Sequence, residues 1–185
     1  MRIIFIKIIL LLFSWISIQA QPGFYFSFKN GYGFNPDLEL INQPIKNTNA
    51  YSFDLEGTYK FKVISKVHFE IGLSGRAVFL SGEIDDINFN SKTLRLLVPL
   101  KMGYQLNYNW ELSSGITFQN NKDFVNIDFR EPYFWRVNYT LSSRYLIRKR
   151  WFLVGEFNYG LRGVSDPYLV NDPKTMFLVG VGIKI

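Results

Sequence analysis

The chain has 185 residues, of which 18% are aromatic and 19% charged, so it is long enough for one domain and too apolar for disorder. It has no cysteine, which excludes a disulfide framework, a thiolate metal site and a thiol nucleophile. The formal charge of +6 falls by two without Arg2 and Lys7, and what remains is too diffuse to imply a nucleic-acid partner.

Residues 1–20, MRIIFIKIILLLFSWISIQA, belong to a different regime from the rest. A basic start (Arg2, Lys7) precedes the apolar run Ile8 to Ile18, and small Ala20 closes it. This is the layout of a signal peptide, and the run is short for a spanning helix. Cleavage is expected after Ala20, although Ile18 is not the small residue preferred three places before the cut. An uncleaved N-terminal anchor is the alternative. The domain reading is therefore 1–20 signal peptide and 21–185 one exported domain.

After residue 20 the pattern is period two. Phe24 to Phe34 shows it partly, with Phe24, Phe26 and Phe28 alternating with Tyr25, Ser27 and Lys29. It is clear in Tyr51 to Val63, Val67 to Phe79, Leu94 to Leu106, Trp110 to Phe118, Tyr133 to Tyr145, Trp151 to Leu161 and Phe177 to Ile185. Strict alternation is a strand with two unlike faces. Helical periodicity of useful length is missing after the signal. Short connections (64–66, 107–109, 146–150) alternate with long ones (35–50, 80–93, 119–132, 162–176). Tight turns at one end and long loops at the other predict an all-β, eight-stranded, antiparallel up-and-down transmembrane β-barrel with periplasmic turns.

A soluble lipocalin-like barrel also alternates, with its apolar face inward. The composition of that face decides between the two. In the second to eighth segments no residue on the apolar face is Lys, Arg, Asp or Glu. A charge at mid-bilayer costs about 2–4 kcal/mol for Lys or Arg, so a lipid face excludes charge in this way. Aromatic girdles at the two membrane interfaces are assigned to Tyr51, Phe69, Phe79, Tyr104, Trp110, Tyr133, Trp135, Tyr145 and Trp151. The other face is read as a packed polar lumen. Its ion-pair network is expected to join Asp54, Glu56, Glu70, Glu111 and Glu156 to Lys60, Arg76, Arg95, Lys101, Arg136, Arg144 and Arg162. Eight strands leave no open channel.

Pro99 interrupts LRLLVPLKMGYQL, and a β-bulge is the expected accommodation. The run RLLVPLKMGY, with GFYFSFKNGYGF at the start and FLVGVGIKI at the end, resembles the small outer-membrane β-barrel family abundant in Bacteroidetes, porin-like in architecture. The resemblance implies an eight-stranded barrel in the cell outer membrane, inserted by the barrel-assembly machinery through its C-terminal strand. Some members of that family belong to secretion and gliding assemblies. The chain departs from barrel C-termini that end in an aromatic, because it ends in Ile185.

Chemistry-bearing candidates are few. His68, the only histidine, points into the lumen near the turn end. A lipid-directed hydrolase would need a serine and an acid beside it, and Glu70 and Ser74, two and six residues along one strand, do not make a triad. His68 is read as lumen filler. Glu83, Asp85 and Asp86 could hold calcium but read better as a solvated acidic loop. Arg148, Lys149 and Arg150 form a turn expected to meet anionic groups at the inner leaflet. The expectation is a non-enzymatic barrel without catalytic residues, metal or cofactor. Its partners are outer-membrane lipid and proteins that meet the long loops. A subunit of an envelope secretion or gliding assembly is the alternative, and a lipid-modifying enzyme the remoter one.

Overall fold

The computed structural model describes residues 23–34, 39–40, 43–44, 46–84, 87–120, 135–161 and 175–185, so residues 1–22 and the signal reading lie outside them. The alternating segments become β1 (Gly23–Phe34), β2 (Lys46–Lys62), β3 (Val67–Ile84), β4 (Ile87–Gln105), β5 (Trp110–Asn120), β6 (Trp135–Leu146), β7 (Trp151–Gly160) and β8 (Thr175–Lys184). Each pairs antiparallel with its sequence neighbours, and β1 pairs with β8 from Tyr25↔Lys184 to Phe34↔Thr175. That last ladder closes the barrel, so none of these eight strands is left as an edge strand. Both described ends of the chain, Gly23 and Ile185, lie with the three short turns at one end. Those turns are fastened by backbone bonds such as Val63 N–H to Val67 O (2.9 Å) and Leu106 N–H to Trp110 O (2.9 Å).

Burial follows parity. On β7, Phe152, Val154, Glu156, Asn158 and Gly160 are buried while Trp151, Leu153, Gly155 and Tyr159 are exposed. Outer residues of mid-barrel are largely exposed apolar groups, with Leu55 at 63% and Val179 at 64%. Exposure of that order on apolar side chains is stable only against hydrocarbon. Tyr59, Phe61 and Phe69 pack ring against ring towards the turn end, with Trp110 against Tyr145 (5.6 Å). Tyr51, Phe53 and Phe79 do the same towards the other end. Tyr51 and Tyr59 are eight residues apart on β2. At about 3.3 Å per residue and a tilt of about 40° that is roughly 20 Å of height, close to the apolar band of an outer membrane.

Three expectations need correction. Residues 80–93 do not form a long loop: β3 runs to Ile84, β4 starts at Ile87, and the ladder is continuous from Phe79↔Lys92 to Ile84↔Ile87. Above the bilayer either strand face can meet water, so backbone pairing persists where the hydrophobic alternation has lapsed. Residues 35–50 are likewise partly strand, because β2 starts at Lys46 and Glu39–Leu40 pairs with Gln43–Pro44.

The second correction concerns Pro99, where no bulge forms. The β3–β4 register is the same on both sides of it, from Ile71↔Leu100 to Ser74↔Leu97, and only the pairings in between drop out. Gln105 N–H donates to Lys66 O (2.8 Å) across this seam. By the two-residue alternation of an antiparallel ladder, Pro99 occupies the place that should donate to Gly72 O. Gly72 makes room for the ring, since a Cβ there would lie 2.9 Å from Pro99 Cγ and 3.0 Å from Gly57 O.

The third correction is to the lumen, which is not polar throughout. Towards the loop end Ala50, Val78 and Leu80 form a buried apolar cluster, and Leu97, Met176 and Leu178 also point inward and are buried. An apolar layer caps a polar core.

Candidate functional site

Below that cap lie two clusters of charge. In mid-lumen three carboxylates from β2 and β7 meet three cations from β1, β3 and β4. Lys29 Nζ lies 2.8 Å from Glu56 Oε2, 3.0 Å from Glu156 Oε2 and 3.7 Å from Asp54 Oδ2. Arg76 donates through Nη2 (2.7 Å) and Nε (3.0 Å) to Asp54 Oδ2. Lys101 Nζ reaches Glu56 Oε1 at 3.2 Å and Glu156 Oε2 at 3.5 Å. Thr58 Oγ1 donates to Glu56 (2.7 Å), Asn158 Nδ2 to Glu156 (2.9 Å), and Ser74 to Asp54. Three acids and three cations cancel, and each carboxylate has at least two donors. That combination makes charge tolerable at full burial.

The second cluster forms the floor, at the turn end. Arg144 grips Glu70 with both Nη atoms (2.6 and 2.8 Å) and Glu111 with one (2.9 Å). Lys60 pairs with Glu111 and lies 3.8 Å from Glu70. His68 Nε2 is 2.8 Å from Glu70 Oε1 and 3.3 Å from Glu111 Oε1. Its ring passes over Gly103, where any Cβ would sit 1.9 Å from Nε2. The Tyr25 ring lies under Lys60 Nζ (4.4 Å) and Arg144 Cζ (5.5 Å). The floor opens towards the turns through a cavity of about 590 Å³, walled by Tyr25, Trp110 and Phe152 and rimmed by lysines.

The structure thus brings together Asp54, Glu56, Arg76, Lys101 and Glu156 in one cluster, and Glu70, Glu111 and Arg144 in the other. Arg95 is buried nearer the loop end, and Arg136 lies against Gly160. Arg162 lies outside the described residues, as do Tyr133, Asp85 and Asp86. Trp135 begins β6, opposite Asn120. Tyr51, Phe79, Tyr104, Trp110, Tyr145 and Trp151 lie exposed on the outer face with Phe69 half-buried beside them. Lys29 is the residue that the sequence does not nominate for the network, although it touches all three mid-lumen acids. Its signal is parity: it shares a face with Tyr25 and Ser27, opposite Phe26 and Phe28.

One ligand atom each from His68, Glu70 and Glu111 lies within 4.8 Å of the others, a spacing that a metal ion could bridge. Both carboxylates are already neutralised by Arg144 and Lys60, so a divalent cation would add uncompensated positive charge to a buried site. Among the described residues no hydroxyl hydrogen-bonds the His68 ring, and Ser74 is bound to Asp54. The arrangement fixes charges in place and offers no activated nucleophile.

No family model matches the chain, and no curated protein matches it in sequence. Solved structures similar to it include the N-terminal β-barrel domain of Pseudomonas aeruginosa OprF, at 15% identity over 90% of this chain and 100% of that one, with a TM-score of 0.47. OprG from Pseudomonas aeruginosa matches at 12% identity over 90% and 97% of the two chains, with a TM-score of 0.48. Ail, the attachment invasion locus protein of Yersinia pestis, matches at 10% over 91% and 100%, with a TM-score of 0.46. At such identities and TM-scores the likeness says nothing of what this chain does.

Proposed function

We propose that the chain is an integral outer-membrane barrel that does no chemistry and passes no ions. It acts as a structural element of the membrane or through the segments at its loop end. The observation that carries this reading is charge segregation. The described part of the barrel wall presents apolar side chains outward, while Lys29, Asp54, Glu70 and Lys101 are at most 1% exposed inside it. A lumen filled by mutually neutralised side chains and capped by Leu97, Met176 and Leu178 has no continuous water path.

The test is a planar lipid bilayer. Purified protein should give no stable conductance steps, and reproducible openings of porin size would overturn the closed-lumen reading. Kinship with the Bacteroidetes barrel family belongs to this proposal and rests on RLLVPLKMGY and the two terminal strands. So does export by a signal peptide, with a mature N-terminus at Gln21 that intact-mass measurement would check. Insertion by the barrel-assembly machinery through β8 is proposed on the unbroken alternation from Phe177 to Ile185.

A further inference from the structure

The short turns and the end of β8 carry Lys62, Lys66, Arg148, Lys149, Arg150 and Lys184 and no Asp or Glu, and the acids nearest to them are Glu70 and Glu111 of the floor. Of the chain's 15 Asp and Glu residues, five are the lumen acids already described, and the rest lie in sequence around the segments joining strands at the opposite end. Within the cavity, Arg144 and Lys60 are spent on Glu70 and Glu111. Its rim lysines are not: Lys62 and Lys66 at the β2–β3 turn, Lys149 from the β6–β7 turn and Lys184 from the end of β8 line the mouth, all exposed. Among the described residues no carboxylate lies within ion-pair reach of them. The cavity therefore has a neutral floor and an unneutralised cationic rim.

From this geometry we propose that the turn-end cavity binds a phosphate-bearing group. Lysine ammoniums are compact point charges, and several converging from different directions suit a tetrahedral, multiply charged oxyanion better than a planar carboxylate, which arginine grips in bidentate fashion. A volume of about 590 Å³ exceeds what one phosphate ion fills and lies within the range of small-ligand pockets. The walls supply what an organic body needs, with Tyr25 and Phe152 as aromatic faces and Gln105, Asn107 and Asn109 as amides. The phosphate comes either from a soluble phosphorylated compound or from a phospholipid headgroup of the adjacent leaflet.

Isothermal titration of the folded full chain in a phosphate-free maltoside detergent distinguishes these sources, with inorganic pyrophosphate in one arm and dihexanoyl phosphatidylglycerol in the other. Saturable binding at one site per chain is expected in at least one arm. Tighter pyrophosphate binding assigns the site to a soluble compound, and tighter lipid binding assigns it to a headgroup. Lys66→Gln with Lys149→Gln and Lys184→Gln should weaken binding at least tenfold. Lys46→Gln with Lys92→Gln, which removes charge from strand positions at the other end, should leave it unchanged. Heat-modifiable gel mobility reports folding of both variants. Should the triple variant fail to fold, Lys66→Gln alone, in an exposed turn, should weaken binding two- to threefold. Non-saturable heats in both arms, or equal weakening by the two sets of substitutions, would overturn the proposal.

Discussion

The mid-lumen and floor clusters use the same chemistry under opposite conditions. Lys29, Arg76 and Lys101 with Asp54, Glu56 and Glu156 are sealed between an apolar cap and the rest of the lumen. Lys60 and Glu111 of the floor keep 12% and 17% of their side-chain surface exposed, beside a cavity that leads out. A charge lost from the first has no water to turn to, whereas one lost from the second has. Burial, more than the number of ion pairs, sets what each contributes.

The largest effect should follow Lys29→Met. It leaves three mid-lumen acids facing two cations and should cost about 3–5 kcal/mol, as removal of one partner from a buried ion pair does. Urea unfolding from lipid vesicles, followed by tryptophan fluorescence, reads it. Adding Glu156→Gln restores the balance and should recover at least half of the loss; no recovery would show that Lys29 stabilises by packing alone. Next comes a charge placed outside. Leu55→Arg, on the lipid face, should cost about 2–4 kcal/mol and depress the folded band in heat-modifiability gels. Val63→Arg, exposed at the turn end of the same strand where the membrane penalty falls to about 0–1 kcal/mol, should shift that band less, and equal shifts would contradict the assigned position of the bilayer. Smallest is Lys60→Gln in the floor. Glu111 keeps Arg144 and His68, water reaches it, and the loss should stay below about 1 kcal/mol in the same unfolding assay. A Lys60→Gln penalty as large as that of Lys29→Met would erase the distinction between the clusters.

Much of this architecture is legible in the sequence because a strand with one lipid face must repeat every two residues and exclude charge. Leu94 to Tyr104 shows both properties. The pattern fades where that constraint ends. Residues 80–84 and 87–93 pair as strand beyond the upper aromatic ring, where water or protein can cover either face, and their polar composition reads as loop. Which lumen charges meet is hidden for a different reason. Lys29 and Glu156 are 127 residues apart, and only closure of β1 on β8 brings them within 3.0 Å. The apolar cap escapes notice because Leu97, Met176 and Leu178 sit on inward parity without the polar character that marks the rest of that face.

The break at Pro99 gives the barrel wall a place to breathe. Gly72 O has lost its donor, and the pairings between Ile71↔Leu100 and Ser74↔Leu97 are missing, while the ladder is intact on both sides. The seam between β3 and β4 is thus weakened over one short stretch at membrane height, where transient parting of the strands disrupts the fewest backbone bonds. Hydrogen–deuterium exchange should find the Gly72 amide labelled sooner than those of Glu70 and Ser74, its neighbours on the same seam. Pro99→Val, which supplies the missing N–H, should slow that exchange and make the wall uniform.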